Sequence, residues 1–95
     1  MLQLEEADVQ AAYSRIKALV HETPVFSSQA LNQLLGCDVI FKGEHLQVGG
    51  AFKARGATNM VYAQPQSELA SGVCTHSSGN HGAALARAAR ARGVA

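Results

Sequence analysis

The sequence predicts an α/β fold, a parallel sheet with flanking helices, of which this chain carries only part. Three observations predict it. Apolar residues recur at helical spacing in several stretches. Two short runs, 38–42 (DVIFK) and 72–76 (GVCTH), read instead as strands that alternate with the later helices. Two strands are too few for a complete sheet of that kind, and a third is expected to begin at Val94-Ala95, where the sequence stops. Residues 1–95 are therefore read as a fragment of a larger domain. No internal boundary, repeat or low-complexity tract divides it.

In order along the chain, Asp8 is the expected N-cap of a first helix, with Val9, Tyr13, Ile16 and Val20 on one face. That helix must stop before His21-Glu22-Thr23-Pro24, because the residue preceding proline avoids helical angles. Ser28 caps a short helix through Leu31, Leu34 and Leu35, closed by Gly36. The strand 38–42 follows. Residues 43–50 read as a loop, since the pair Gly49-Gly50 disfavours a helix. A helix then fits 52–62, and Pro65-Gln66-Ser67-Glu68 connects it to the buried strand 72–76. Ser77-Ser78-Gly79-Asn80 makes a tight turn. The alanine-rich stretch 81–92 is a strong helix former, ended by Gly93.

Composition narrows the function classes. Among 95 residues, 47% are hydrophobic and the formal net charge is +1. That is ordinary for a globular protein and gives no electrostatic basis for binding nucleic acid or an anionic membrane. No apolar run approaches the roughly 20 residues of a spanning helix. The first six residues, MLQLEE, lack the basic and apolar regions of a signal peptide, so a cytoplasmic protein is expected. Cys37 and Cys74 are far apart and form no CxxC pair. They are expected to be reduced, buried thiols, and no metal site is expected.

Two stretches carry chemistry. In the first, 41–59 (FKGEHLQVGGAFKARGATN), Lys53 follows a glycine-bearing loop and sits in the first turn of a helix. The partial positive charge of a helix N-terminus disfavours the protonated amine there, which suits a lysine that must attack a carbonyl as the neutral base. Placement alone leaves an ordinary solvated lysine open. In the second, 75–85 (THSSGNHGAAL), small hydroxyl residues and glycine join a strand end to a helix start. The first amides of such a helix have no internal partner and suit phosphate or carboxylate, outside the carboxyl ends of the strands where α/β proteins bind ligands. The turn could equally be a plain helix cap made by Ser77, Ser78 or Asn80. It is neither a Walker loop nor a GxGxxG fingerprint.

Taken together, the stretches resemble fold-type II pyridoxal-phosphate enzymes, closest to serine/threonine dehydratases and serine racemases. The family's K-x-E followed by S/A-F-K-x-R-G-A stands here as Lys42-Gly43-Glu44 and Ala51-Phe52-Lys53-Ala54-Arg55-Gly56-Ala57. Its S-S/A-G-N-H-G/A stands as Ser77-Ser78-Gly79-Asn80-His81-Gly82. His21-Glu22-Thr23-Pro24-Val25 resembles its N-terminal T-P segment. The resemblance runs from about Asp8 to the end. Cysteine and threonine synthases, with K-D-R and S/T-x-G-N-T, fit less well.

The resemblance implies that Lys53 bonds the aldehyde of pyridoxal 5'-phosphate, that Phe52 packs beside its ring, and that Asn80 hydrogen-bonds its phenolic oxygen. It implies that Ser77, Ser78, Gly79, Asn80 and His81 hold the substrate carboxylate. In racemizing members a serine faces the substrate from the side opposite the lysine, and Ser78 is the matching position. The glycine-rich phosphate loop, the partner of the pyridine nitrogen and any cation site would lie beyond residue 95. The implied function is an ammonia-lyase converting L-serine, L-threonine or a similar β-hydroxy amino acid to a 2-oxo acid and ammonia. Amino-acid racemization on the same site is the alternative, and a non-catalytic ligand-binding α/β module is the alternative of another class. The partner expected is a small amino acid, self-association of the full-length protein is left open, and the fragment alone is expected to be inactive.

Overall fold

A computed structural model describes residues 3–95. Met1 and Leu2, part of the stretch read above as lacking signal-peptide character, lie outside the described residues. The order is α1 (Glu6–Ile16), β1 (Val25–Ser27), α2 (Gln29–Leu35), β2 (Ile40–Lys42), α3 (Lys53–Ala63) and α4 (Asn80–Arg92). The long helices fall where the periodicity predicts them. Among the described residues no helix is long and apolar enough to cross a membrane.

The helix ends show which local signals were read correctly. Ser28 accepts a hydrogen bond from the Leu31 amide, and Gly36 and Gly93 close α2 and α4 in the left-handed conformation. The cap of α1 differs from expectation. Glu5 is the N-cap, and Asp8 is the third helical residue, accepting from the Glu5 amide at 2.9 Å. The two acids satisfy each other's backbone as a reciprocal capping box, so the helix starts one turn earlier than Asp8 alone implies.

The strands differ more. Thr23-Pro24 leads into β1, which pairs antiparallel with β2 in the register Val25↔Lys42, Phe26↔Phe41, Ser27↔Ile40. β1 was not predicted, because Val-Phe-Ser is too short to show a period. The predicted strand 72–76 forms no ladder. Its sign of pairing is the Val73 amide donating to the Ala95 carbonyl at 2.9 Å. α4 carries the chain back to where that segment began, the layout of a parallel crossover, but one bond does not make a strand. Cys74 on this segment and Cys37 after α2 are free and exposed rather than buried, because nothing among the described residues packs over either position.

The core lies between α3 and α4. Small residues let the helices approach: Ala54, Ala57, Thr58 and Val61 on one side, Leu85, Ala88 and Ala89 on the other, all buried. Val61, 1% exposed, sits at the centre with Tyr62 and Val73 against it. Three polar tethers hold α3. Arg15 of α1 donates to Asn59, Arg92 of α4 donates to the Val61 carbonyl, and Arg55 pairs with Glu44.

The third tether is the most developed. The 43–50 loop is two successive 3-10 turns, Glu44–Leu46 and Val48–Gly50. From the first, Glu44 receives both sides of the Arg55 fork, Nε to Oε2 at 2.8 Å and Nη2 to Oε1 at 2.7 Å. The Thr23 hydroxyl donates to the same carboxylate at 2.5 Å. Gln47, 3% exposed, bonds the His21 backbone in both directions, accepting at 2.8 Å and donating at 2.9 Å, and accepts from the Val48 amide at 2.8 Å. The segment 21–24 is thereby stapled across the loop, helped by Lys42 Nζ donating to the Thr23 carbonyl.

The Arg55 guanidinium, with Thr23 and Gln47 also donating, holds the Glu44 carboxyl down at about 2 from an ordinary 4.5, against the opposing effect of burial. A carboxylate with a depressed folded-state value contributes stability that is complete above its unfolded value and is lost as pH falls through the folded one. The Glu44 contribution is thus full above about pH 4.5 and disappears toward pH 2. Thermal unfolding of Glu44→Gln against the unsubstituted protein checks this. At neutral pH the variant should be less stable by about 1–3 kcal/mol, the order lost with a charge-assisted hydrogen bond, and the difference should shrink between pH 4.5 and 2. A difference independent of pH would refute the assignment.

Candidate functional site

Lys53 is the first residue of α3, as the sequence predicts. What places it there is the loop before it. Gly49 and Gly50 both have φ near +74°, at 74° and 73°, a conformation that side-chain-bearing residues rarely adopt. They turn the chain from the second 3-10 turn into extended Ala51, and Phe52 then enters the helix. The first turn of α3 holds Lys53 and Arg55 and no acidic residue. Arg55 has Glu44, whereas Lys53 has no carboxylate within ion-pair distance among the described residues. The Lys53 Nζ instead lies 5.0 Å from the centre of the Phe52 ring, within cation–π range. Phe52 is 60% exposed, a large apolar ring reaching into the open.

The other half of the site is the start of α4. Gly79 is its N-cap and no side chain caps the helix. The expectation that Ser77, Ser78 or Asn80 might do so is not met. Ser77 Oγ accepts from the Gly79 amide at 3.3 Å, inside the turn, and the Gly79 carbonyl takes the Ala83 amide at 3.1 Å. The amides of the first turn of α4 therefore keep the free donors that every helix start has. Gly82 lets the turn fold down closely, since a Cβ there would stand 2.7 Å from the Ser77 carbonyl oxygen.

The packing of α3 on α4 brings some of the predicted residues together and not others. Phe52, Lys53, Arg55, Gly56, Ala57 and His81 line one hollow of about 290 Å3. His81 is half-buried there. Asn80 faces a smaller gap of about 40 Å3 against Val48, Gly49 and Ala54, so it adjoins the glycine loop. Ser77, Ser78 and Gly79 line a separate open hollow with Thr75 and His76, and all three are exposed. The turn is thus split between two faces of the α4 start, with His81 toward Lys53 and Ser78 on the far side.

Sequence alone assigns no role of their own to Thr23, Glu44, Gln47 and Arg55. The signal was present in part, since Lys42-Gly43-Glu44 and the Thr-Pro segment carry the resemblance. Nothing in the spacing says that Glu44 pairs with Arg55 or that Gln47 reads the His21 backbone.

Residues 16–95 match the family described as Pyridoxal-phosphate dependent enzyme. The chain is 50% identical over 86 residues to a serine racemase of Arabidopsis thaliana, covering 90% of this chain and 26% of that one. It is 48% identical over 87 residues to a β-hydroxyaspartate dehydratase of Paracoccus denitrificans, covering 92% of this chain and 28% of that one. The solved structure of maize serine racemase superimposes with a TM-score of 0.90 at 43% identity, over 98% of this chain and 28% of that one. The chain therefore spans about a quarter of the length of the relatives it matches. The α/β arrangement is that of the fold-type II members. With its lysine-bearing helix and its uncapped turn both inside the matched span, this chain belongs to the pyridoxal-phosphate dependent enzyme family.

Proposed function

We propose that this chain supplies the cofactor-bearing lysine and part of the substrate cradle of an ammonia-lyase, which converts L-serine, L-threonine or a similar β-hydroxy amino acid to a 2-oxo acid and ammonia. One observation carries the reading: Lys53 and His81 line the same hollow at the uncapped start of α4. An amine and a cradle for anions are thereby adjacent, on two helices packed through a close alanine-rich interface.

The residues present fit pyridoxal 5'-phosphate. A primary amine lines the hollow, the exposed Phe52 ring beside it offers an apolar face, and Gly56 and Ala57 leave the wall free of bulk. The volume is near the low end of the ~300–1,000 Å3 usual for small-molecule sites. When bound, the cofactor supplies an aldehyde that condenses with amines and a conjugated ring that withdraws electrons from the substrate α carbon. Lys53 would hold it covalently, Phe52 would flank its ring, and Asn80, beside Gly49, would donate to its phenolic oxygen.

The chain's own residues then bind and move protons. The free backbone amides at the start of α4, within the 77–81 turn, receive the substrate carboxylate, which the α4 N-terminus favours by its partial positive charge. The Lys53 Nζ, lining the hollow, would take the proton from the substrate α carbon. Loss of the β-hydroxyl and hydrolysis leave the 2-oxo acid and ammonia. Small β-hydroxy acids suit this cradle because only their carboxylate, amine and hydroxyl need recognition. A cytoplasmic location belongs to the same reading.

Racemization is the second reading, favoured by the serine racemases among the relatives and by the position of Ser78 on the far side of the α4 start. There the Ser78 hydroxyl returns a proton to the face opposite Lys53.

Reduction with borohydride after incubation of the full-length protein with pyridoxal phosphate should label Lys53. Lys53→Ala should lose the label and at least about 10³-fold in turnover, the scale on which an activated nucleophile and base acts. A holoprotein labelled elsewhere would refute the assignment and leave the ligand-binding module. Ser78→Ala separates the two reactions: racemization should drop by about 10²-fold while elimination persists. Undiminished racemization would remove Ser78 as the second base.

A further inference from the structure

The Glu44–Arg55 pair closes a loop around Lys53 through two hydrogen bonds, one from Nε and one from Nη2. The two residues are eleven apart, and the enclosed segment contains Gly49 and Gly50. Two adjacent glycines give a segment unusual backbone freedom. Gln47 pins the middle of the loop to His21, and the Arg55 fork pins its far end to Glu44. Only residues 48–54 remain between these anchors, and Lys53 is among them.

Helix geometry explains why the anchor is at Arg55. Residues two apart on a helix point about 200° away from each other and are about 3 Å apart along the axis. A side chain fixed at Arg55 therefore fixes the first turn of α3, from which the Lys53 side chain leaves in a different direction, although both residues line the hollow shared with His81. The Arg55 Nε and Nη2 are both directed at Glu44, and Nη2 also approaches the His21 carbonyl at 3.4 Å and the Thr23 hydroxyl at 3.5 Å. With its fork engaged in this way, Arg55 is poorly placed to take a substrate carboxylate, although it borders the hollow. The pair is also partly shielded, its side chains 30% and 19% exposed.

We propose that Glu44 and Arg55 are positioning residues that set the start of α3, and through it direct the Lys53 amine into the hollow shared with His81. This rests on the reading of Lys53 as the cofactor lysine. It adds that the glycine loop alone does not present the amine, and that the two-point fork between loop and helix does. A lysine at position 55 keeps the charge but cannot make the fork. A glutamine at position 44 keeps the shape but loses the charge.

The test is the rate at which full-length apoprotein condenses with pyridoxal phosphate at Lys53, followed by borohydride trapping at timed intervals and mapping of the labelled peptide. Arg55→Lys and Glu44→Gln should each slow labelling of Lys53 about 10-fold, a loss within the range for small misplacement of a reacting group. Arg15→Ala is the control. It cuts the tether of α3 to α1 at Asn59, and should lower the thermal midpoint while leaving the labelling rate within about twofold. Should Arg55→Lys fail to fold, Glu44→Gln carries the same comparison. Equal slowing by Arg15→Ala would reduce the pair to a stability element and overturn the proposal. So would unchanged labelling in folded Arg55→Lys or Glu44→Gln. Absence of label on Lys53 in the unsubstituted protein would instead sink the cofactor reading, and this proposal with it.

Discussion

The two-point bond between Arg55 and Glu44 is the interaction on which the rest of this structure depends. α3 is the centre of the molecule: α1 lies against it, α4 packs along it, and the glycine loop feeds into it. Its first turn carries two basic residues and no acid, an arrangement the partial positive charge of a helix start opposes. Glu44, arriving from a 3-10 turn, supplies the missing negative charge and directs it to Arg55. The same carboxylate collects the Thr23 hydroxyl, and Gln47 beside it collects the His21 backbone. One charge thus organises the entry to β1, the glycine loop and the helix.

The consequence for chemistry lies in what is left over. Lys53 begins the same helix without a carboxylate of its own, resting instead over the Phe52 ring. α4 begins without a side-chain cap. Each would be a small destabilising feature in a helix selected for stability alone, since a missing cap forgoes about 1 kcal/mol. Here both open toward the α3–α4 contact, where the hollow lined by Lys53 and His81 lies. Under the proposed function, unsatisfied electrostatics at two helix starts, held close by an alanine-rich interface, would serve an aldehyde and an anion.

The packing is otherwise sparse. The Cα radius of gyration is 16.4 Å, above the ~13 Å of a compact domain of about 100 residues. Leu34, Ile40 and Leu35 stand well exposed, and the 72–76 segment has no strand neighbour among the described residues. These faces are apolar and uncovered among the described residues, and the relatives the chain matches are about four times as long. The α3–α4 core, centred on Val61 and Leu85, is the part that closes on itself.

The sequence by itself determined the helices, their glycine stops, the Ser28 cap and the position of Lys53 and the 77–82 turn, because each is written in local spacing and backbone preference. The two motifs were enough to identify the family. It misplaced the α1 cap, since Glu5 and Asp8 are interchangeable until the chain folds and each finds the other's backbone. It could not reveal β1, whose three residues become a strand only when Lys42 and its neighbours lie alongside. Tertiary structure alone decided that Glu44 meets Arg55, that His81 rather than Ser78 shares a hollow with Lys53, and that Cys37 and Cys74 are exposed. The reason is physical. Backbone preference is a property of neighbours in sequence, whereas an ion pair, a shared hollow or a covering surface exists only between segments that packing brings together.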